Sequence, residues 1–188
     1  MCAREAVAAE TDPESLFNLL TRAPRLPPVE RWQPTVRGAS RMRIATDGRW
    51  FYQGSEIRRP EMVRLFSTIL RREGEGHLLV TPVEALAIDV DDAPFVAVDF
   101  EARGRDQGQQ IAFATNVGDV VIAGPAHALA LEDRGHGPRP YLHVRARLDA
   151  VVSRGAYYRL VALAVPVGAE VGVWSDGAFF PLGPRTGE

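Results

Sequence analysis

The chain carries one passage twice, ninety-five residues apart, and that repetition limits what it can fold into. Residues 57–66 read IRRPEMVRLF and residues 152–161 read VSRGAYYRLV. Laid on each other without gaps, Arg59 falls on Arg154, Met62 on Tyr157, Val63 on Tyr158, Arg64 on Arg159 and Leu65 on Leu160. Each copy is followed by a glycine-containing break and a short apolar stretch ending in a hydroxyl, HLLVTP at 77–82 and VGVWSD at 171–176. SDGAFFPLG, late in the chain, echoes TDGRWFYQG at 46–54. Two related units in a chain of 188 residues point to two half-sites facing one groove.

Local signals supply the elements. Pro60 opens a helix whose stripe is Met62, Leu65, Phe66 and Ile69, with Gly74 ending it. Ser153 caps a second helix carrying Tyr157, Leu160, Val161 and Ala164. An earlier short helix is expected after Thr11 or Asp12, with Leu16, Phe17, Leu19 and Leu20. Residues 42–54 read as a hairpin with Asp47-Gly48 at its tip. Between the repeat helices, seven strands are expected near 77–81, 86–90, 95–102, 109–114, 119–123, 127–131 and 141–152. Along 95–102, Phe95, Ala97, Asp99 and Glu101 alternate with Val96, Val98, Phe100 and Ala102. Seven antiparallel strands before a helix is the element order of a pleckstrin-homology-like barrel. The expectation is an α+β chain of two domains with internal duplication. Residues 1–75 form an N-terminal α+β domain of hairpin plus helix, and residues 76–188 a pleckstrin-homology-like antiparallel β-barrel or sandwich with a closing helix.

Composition excludes several chemistries. All 22 basic residues are arginine, so an anion is held by guanidinium or backbone N–H, and lysine Schiff bases and P-loop lysines are ruled out. The net charge of −2 gives no general pull toward nucleic acid or anionic membrane. A single cysteine, Cys2, rules out a disulfide within the chain and a multi-cysteine metal site. The first ten residues include Glu5 and Glu10 and no apolar run, and no stretch approaches a membrane span, so a cytoplasmic location is expected. The four histidines lack metal-ligand spacing, and neither a metal nor a cofactor is expected. Ser175 in GVWSDG lacks the glycine two before it that a nucleophile elbow requires. Asp89, Asp91 and Asp92 read either as a Mg²⁺ site or as a strand end entering a solvated turn.

Arg59 and Arg154 are the sharper signal, each at the start of its helix. A guanidinium beside a helix N-terminus makes an anion site. Alternatively each arginine pairs with Glu84, Asp92 or Asp149 and joins the domains. Arg145 and Arg147 alternate along the seventh strand with Val144 and Leu148 and could face the same cleft, and Thr81, Thr115, Asn116 and Ser175 supply short polar groups at strand ends.

In order, DGRWFYQG (47–54), IRRPEMVRLF (57–66), LVTPVEALAIDVDDAPF (79–95), FATNVGD (113–119), YLHVRARLDAVVSRGAYYRLV (141–161) and GVWSDGAFFPLG (172–183) resemble the uncharacterised bacterial domain-of-unknown-function family 1285. The resemblance implies two domains with internal duplication, the second loosely pleckstrin-homology-like. It also implies a cleft at the domain interface for a nucleotide-like ligand and a role in signal transduction. Positions of this chain on the family's motifs are Arg59, Thr81, Glu84, Asp92, Thr115, Asn116, Tyr141, Arg145, Arg154, Tyr158, Ser175 and Gly177. The leading expectation is therefore a sensor for a small anionic, nucleotide-like ligand, with no catalytic residue assigned and no protein partner identified. A hydrolase or transferase using Glu84 or Asp92, and a protein-interaction module, are the alternatives.

Overall fold

The computed structural model describes residues 26–185, so the helix expected over 13–20 lies outside the described residues. The first unit comprises β1 (Val36–Ile44), β2 (Trp50–Tyr52), β3 (Ser55–Glu56), α1 (Pro60–Thr68), β4 (Leu70–Glu73), β5 (Gly76–Val80) and β6 (Glu84–Val90). The strands form one sheet in the order β3-β2-β1-β6-β5-β4, and β1 runs parallel to β6. The β1–β2 hairpin turns at Asp47-Gly48 as the sequence predicts, with Gly48 at φ +82°. Arg41 at φ +56° interrupts β1, where Ser40 Oγ accepts from Met42 N and donates to Ala87 O in place of ladder bonds. The sheet curls: Arg37 on β1 reaches Glu73 on β4, three strands away in the order, at 2.5 Å.

α1 is shorter than expected. It stops at Thr68, and the segment assigned to its last turn is β4. The Ser67 and Thr68 hydroxyls donate back to the Arg64 and Leu65 carbonyls at 2.7 Å. Such back-bonds compete with continuation of the helix. The buried stripe is also rotated. Val63 and Phe66 are half-buried and Ser67 buried, while Leu65 is 63% exposed.

The second unit begins with β7 (Phe95–Arg103), β8 (Gln110–Thr115), β9 (Val120–Ile122), β10 (Leu129–Asp133), β11 (Pro138–Arg145) and β12 (Leu148–Val152). α2 (Arg154–Val161), β13 (Val165–Val167), β14 (Glu170–Ser175) and β15 (Ala178–Pro184) complete it. The second sheet has the order β10-β11-β12-β7-β8-β9, with β12 parallel to β7, and β13-β14-β15 form a third. The expectation of seven antiparallel strands in one barrel is thus corrected. The first two segments belong to the first sheet, and 141–152 is two strands folded at Ala146-Arg147. The expected division at 75/76 falls inside the β4–β5 hairpin, and the first sheet runs on to Val90. A register shift between Ala97 and Asp99 swaps the faces of β7, so Phe100 joins Phe95 and Ala97 in the core.

The two repeat segments adopt the same order: helix, short strand, glycine turn, longer strand. Gly74 at φ +58° and Gly168 at φ +59° occupy corresponding turns. Ser153 caps α2 by accepting from Ala156 N, and Ala156 and Leu160 form its buried face. One apolar cluster runs through all three sheets, including Ile44, Trp50, Leu70, Phe95, Phe113, Leu142, Leu148, Leu160 and Phe180. The two domains therefore share a core, unlike domains that meet through a thin polar contact.

Two glycine substitutions test this packing in opposite directions. A Cβ at Gly172 would lie 2.2 Å from the Phe180 carbonyl oxygen, while at Gly155 in α2 it meets nothing within 4 Å. Gly172→Ala should destabilise by about 1–3 kcal/mol, and Gly155→Ala should stabilise by up to about 1 kcal/mol. Urea unfolding of both variants checks the pair, and similar midpoints for the two would contradict the packing described.

Candidate functional site

The residues singled out from the sequence do not converge. Arg59 is the exposed residue preceding α1. Arg154 is exposed at the start of α2, where Nη2 donates to Tyr158 Oη at 3.2 Å, and Tyr158 is 61% exposed. Thr81 closes the β5–β6 turn, its Oγ1 accepting from the backbone N–H of Val83 and Glu84. Thr81 and Glu84 border a cavity of about 470 Å³ on the first domain, with Met42, Phe66 and Leu86. Thr115 Oγ1 accepts from Asp119 N within the β8–β9 turn. Ser175 is fully buried, donating to Ala123 O at 2.6 Å and accepting from Ile111 N at 2.9 Å, which fastens the third sheet to the second.

Asn116 and Arg145 join the domains. Asn116 Nδ2 donates to Gly48 O in the β1–β2 turn, and its Oδ1 accepts from Val96 N. Gly48 packs so closely there that a Cβ would come within 2.7 Å of Asn116 Nδ2. Arg145 pairs with Asp119, donates to Ser67 O at the end of α1 at 2.9 Å, and lies 4.7 Å over the Phe95 ring. Its cation meets the negative end of the helix dipole. Arg64 on α1 donates in return to Val117 O.

Beside this seam runs a groove of about 700 Å³. Arg72, Glu75, His77, Val90 and Asp92 line it from the first unit, and Glu132, Arg134, His143, Arg147 and Asp149 from the second. Strand pairing sets the positions: Arg72 faces His77 across β4–β5, and His143 faces Asp149 across β11–β12. His143 Nδ1 lies 3.2 Å from Asp149 Oδ1, while Asp149 Oδ2 accepts from Arg134 at 2.8 Å. The Asp92 carboxyl is wholly buried, accepting from Arg139 Nη1 and Tyr141 Oη at 2.7 Å each. Asp92 is thus held by Arg139, and Asp149 by Arg134, rather than by either repeat arginine. Burial and the neighbouring Asp92 push the Tyr141 hydroxyl up to about 12, which keeps it a hydrogen-bond donor at neutral pH. His77 is buried, and its Nε2 meets no hydrogen-bond partner among the described residues. Burial, then the Arg72 charge, lowers its pKa to about 4. Among the described residues no three His, Cys, Asp or Glu side chains are grouped to hold a metal.

Of the residues expected to face the site, this groove collects Asp92 and Arg147. Its histidines and Arg134 carried no spacing motif, because cross-strand pairs and contacts between sheets bring them together. One signal was legible. In β11, Arg139, Tyr141, His143 and Arg145 alternate with Pro140, Leu142 and Val144, and Leu142 and Val144 are core.

His77 makes a pH prediction. The unfolded imidazole takes up its proton near pH 6.5 and the folded one only near 4, so the unfolded state binds more protons between these values. This contribution is complete above about pH 6.5 and is lost as pH falls toward 4. His77→Gln should give a flatter stability curve across that window in urea unfolding at pH 7 and pH 5. An acid loss of equal size in the variant would assign it to other groups.

The described residues contain no helix long and apolar enough to cross a membrane. No curated protein matches the chain. A crystal structure of a DUF1285 family protein from Silicibacter pomeroyi DSS-3 is similar, with 46% identity and a TM-score of 0.82 over 90% of this chain and 95% of that one. Another, from Shewanella baltica OS155, is 27% identical with a TM-score of 0.52, over 64% of this chain and 90% of that one. The model of the DUF1285 N-terminal domain, a domain of unknown function, matches residues 27–93, and that of the C-terminal domain matches residues 94–182. With both halves matched in order, the chain belongs to the DUF1285 family.

Proposed function

We propose that the protein is a binding module for a small anionic, nucleotide-like ligand held in the groove between its two domains. The observation that carries this reading is His77: a buried imidazole nitrogen without a hydrogen-bond partner, on a residue lining a concave site. Orphaned buried polar atoms are uncommon, and a ligand group is one of the things that satisfies them. Supporting it, each carboxylate lining the groove has an arginine partner: Glu75 with Arg72, Asp92 with Arg139, and Glu132 and Asp149 with Arg134. Their charges are met within the protein, which leaves the remaining N–H donors to a ligand. A groove of about 700 Å³ is in the range of small-molecule sites.

The shared core bears on how such a ligand acts. With the domains packed through one cluster, binding stiffens the seam rather than closing a hinge. That is the form in which we infer a cytoplasmic sensor role in signal transduction. The internal duplication and the pleckstrin-homology-like character of the second domain belong to the same proposal. α2 packs against β7, Arg159 bonding Asp99 Oδ1 and Phe100 O, as a closing helix would.

The test is thermal unfolding against ATP, GTP, NAD and coenzyme A, confirmed by calorimetric titration. A ligand at 100 times its dissociation constant should add about 2.7 kcal/mol of stability. His77→Phe should remove most of that gain. A panel in which none stabilises the wild-type protein at millimolar concentration, or a gain unchanged in His77→Phe, would contradict the proposal.

A further inference from the structure

The β11–β12 hairpin holds an unusual turn. Arg145 pairs with Leu148, so Ala146 and Arg147 form a two-residue loop, with φ of +44° and +61°. Such loops favour Asn-Gly or Asp-Gly, because both central residues must be left-handed. Neither residue here is glycine, asparagine or aspartate. A side chain in that region is strained, because its Cβ crowds the following carbonyl oxygen. Strain of this kind at a surface turn is an observation from which a functional role can be inferred.

Arg147 also stands at a junction. It lines the interdomain groove and a second cavity of about 360 Å³ formed with Trp32, Arg37, Arg71, Arg72 and Glu73. The linings differ in charge. The groove has three arginines, Arg72, Arg134 and Arg147, against four carboxylates, Glu75, Asp92, Glu132 and Asp149. The second cavity has four arginines, Arg37, Arg71, Arg72 and Arg147, against two glutamates, Glu30 and Glu73. Arg37 and Arg71 both pair with Glu73, Arg72 pairs with Glu75, and Arg134 pairs with Glu132 and Asp149. Arg147 alone among these has no carboxylate partner among the described residues. Its one bond is Nη2 to the Arg72 carbonyl at 3.0 Å, which leaves the rest of its donor fork free.

We propose that Arg147 is the anion-reading residue of this protein. An oxyanion, phosphate or carboxylate, seats on its guanidinium where the groove meets the arginine-rich cavity, with the half-buried Trp32 ring in that cavity's wall. This deepens the binding reading above and rests on it: the groove takes the body of the ligand, and Arg147 takes its charged end. The strained turn fits that role. Glycine at 147 would relax the hairpin but deliver no guanidinium. Arginine here runs against the turn's own preference and sets a guanidinium at the junction of the two cavities.

The experiment uses pyrophosphate and citrate as probes of phosphate and carboxylate, with thermal unfolding and calorimetry on wild type, Arg147→Asn and Arg147→Gly. Both substitutions suit a left-handed turn. Without a probe, Arg147→Gly should melt at or above wild type, by a few degrees at most. The probe that stabilises wild type should bind both variants about ten- to a hundred-fold more weakly. Whichever probe does so names the oxyanion. Equal binding by wild type and variants would overturn the inference while leaving the groove reading intact. So would a nucleotide that stabilises wild type and both variants alike. A clear fall in melting temperature in both variants without a probe would assign Arg147 to holding Arg72, and would also overturn it. If no probe and no nucleotide stabilises wild type, the binding reading falls, and the inference with it.

Discussion

Arg145 is the residue on which the arrangement of the two domains turns. One guanidinium pairs with Asp119 on its own domain, donates to the Ser67 carbonyl near the end of α1 on the other, and covers Phe95 in the shared core. Three requirements meet in that position: a cation at a helix C-terminus, a partner for a half-buried carboxylate, and a flat face against an aromatic ring. A lysine would meet only the first two. Asn116 does similar work at the other end of α1's neighbourhood, locking the Gly48 turn against Val96. With these clasps set, the β4–β5 hairpin and the β11–β12 hairpin are brought side by side, and the groove is the space between them.

What the sequence made legible was local. The Asp47-Gly48 hairpin, the Ser153 cap and both repeat helices depend on residues a few positions apart, and each is present. Strands fill all seven segments expected to form them. The failures have two causes: pairing between distant segments, and local signals that point away from the structure formed. The parallel pairings of β1 with β6 and β12 with β7 leave no mark on either strand alone. The Ala146-Arg147 turn is hidden because its residues are poor choices for it. The end of α1 depends on Ser67 and Thr68, whose hydroxyls can serve a helix or cut it short. For the site, the arginines at equivalent repeat positions drew attention, yet both are exposed at helix starts. The arginines at the domain seam are Arg72 of β4, which the sequence did not single out, and Arg145 and Arg147 of the β11–β12 hairpin, which it did.

Burial explains why the groove differs from the rest of the surface. Exposed ion pairs such as Arg159 with Asp99 are worth little, because water already serves both charges. The Asp92 side chain is wholly buried and depends on Arg139 and Tyr141 for its solvation, so it acts as part of the wall. Among the described residues His77 is buried without any such service, and Arg147 has no carboxylate partner where its neighbours do. These two departures from internal satisfaction border the same groove, one from each domain. That coincidence is the core of the functional account.

The most direct test follows the imidazole and guanidinium resonances by NMR as a stabilising anion is titrated in. The account predicts that the ring signals of His77 and His143 and the Nε–H of Arg147 shift together, with one dissociation constant. Arg154 and the Tyr158 ring on α2 should stay where they are. Shifts confined to α2, or saturation with the histidine rings unmoved, would contradict it.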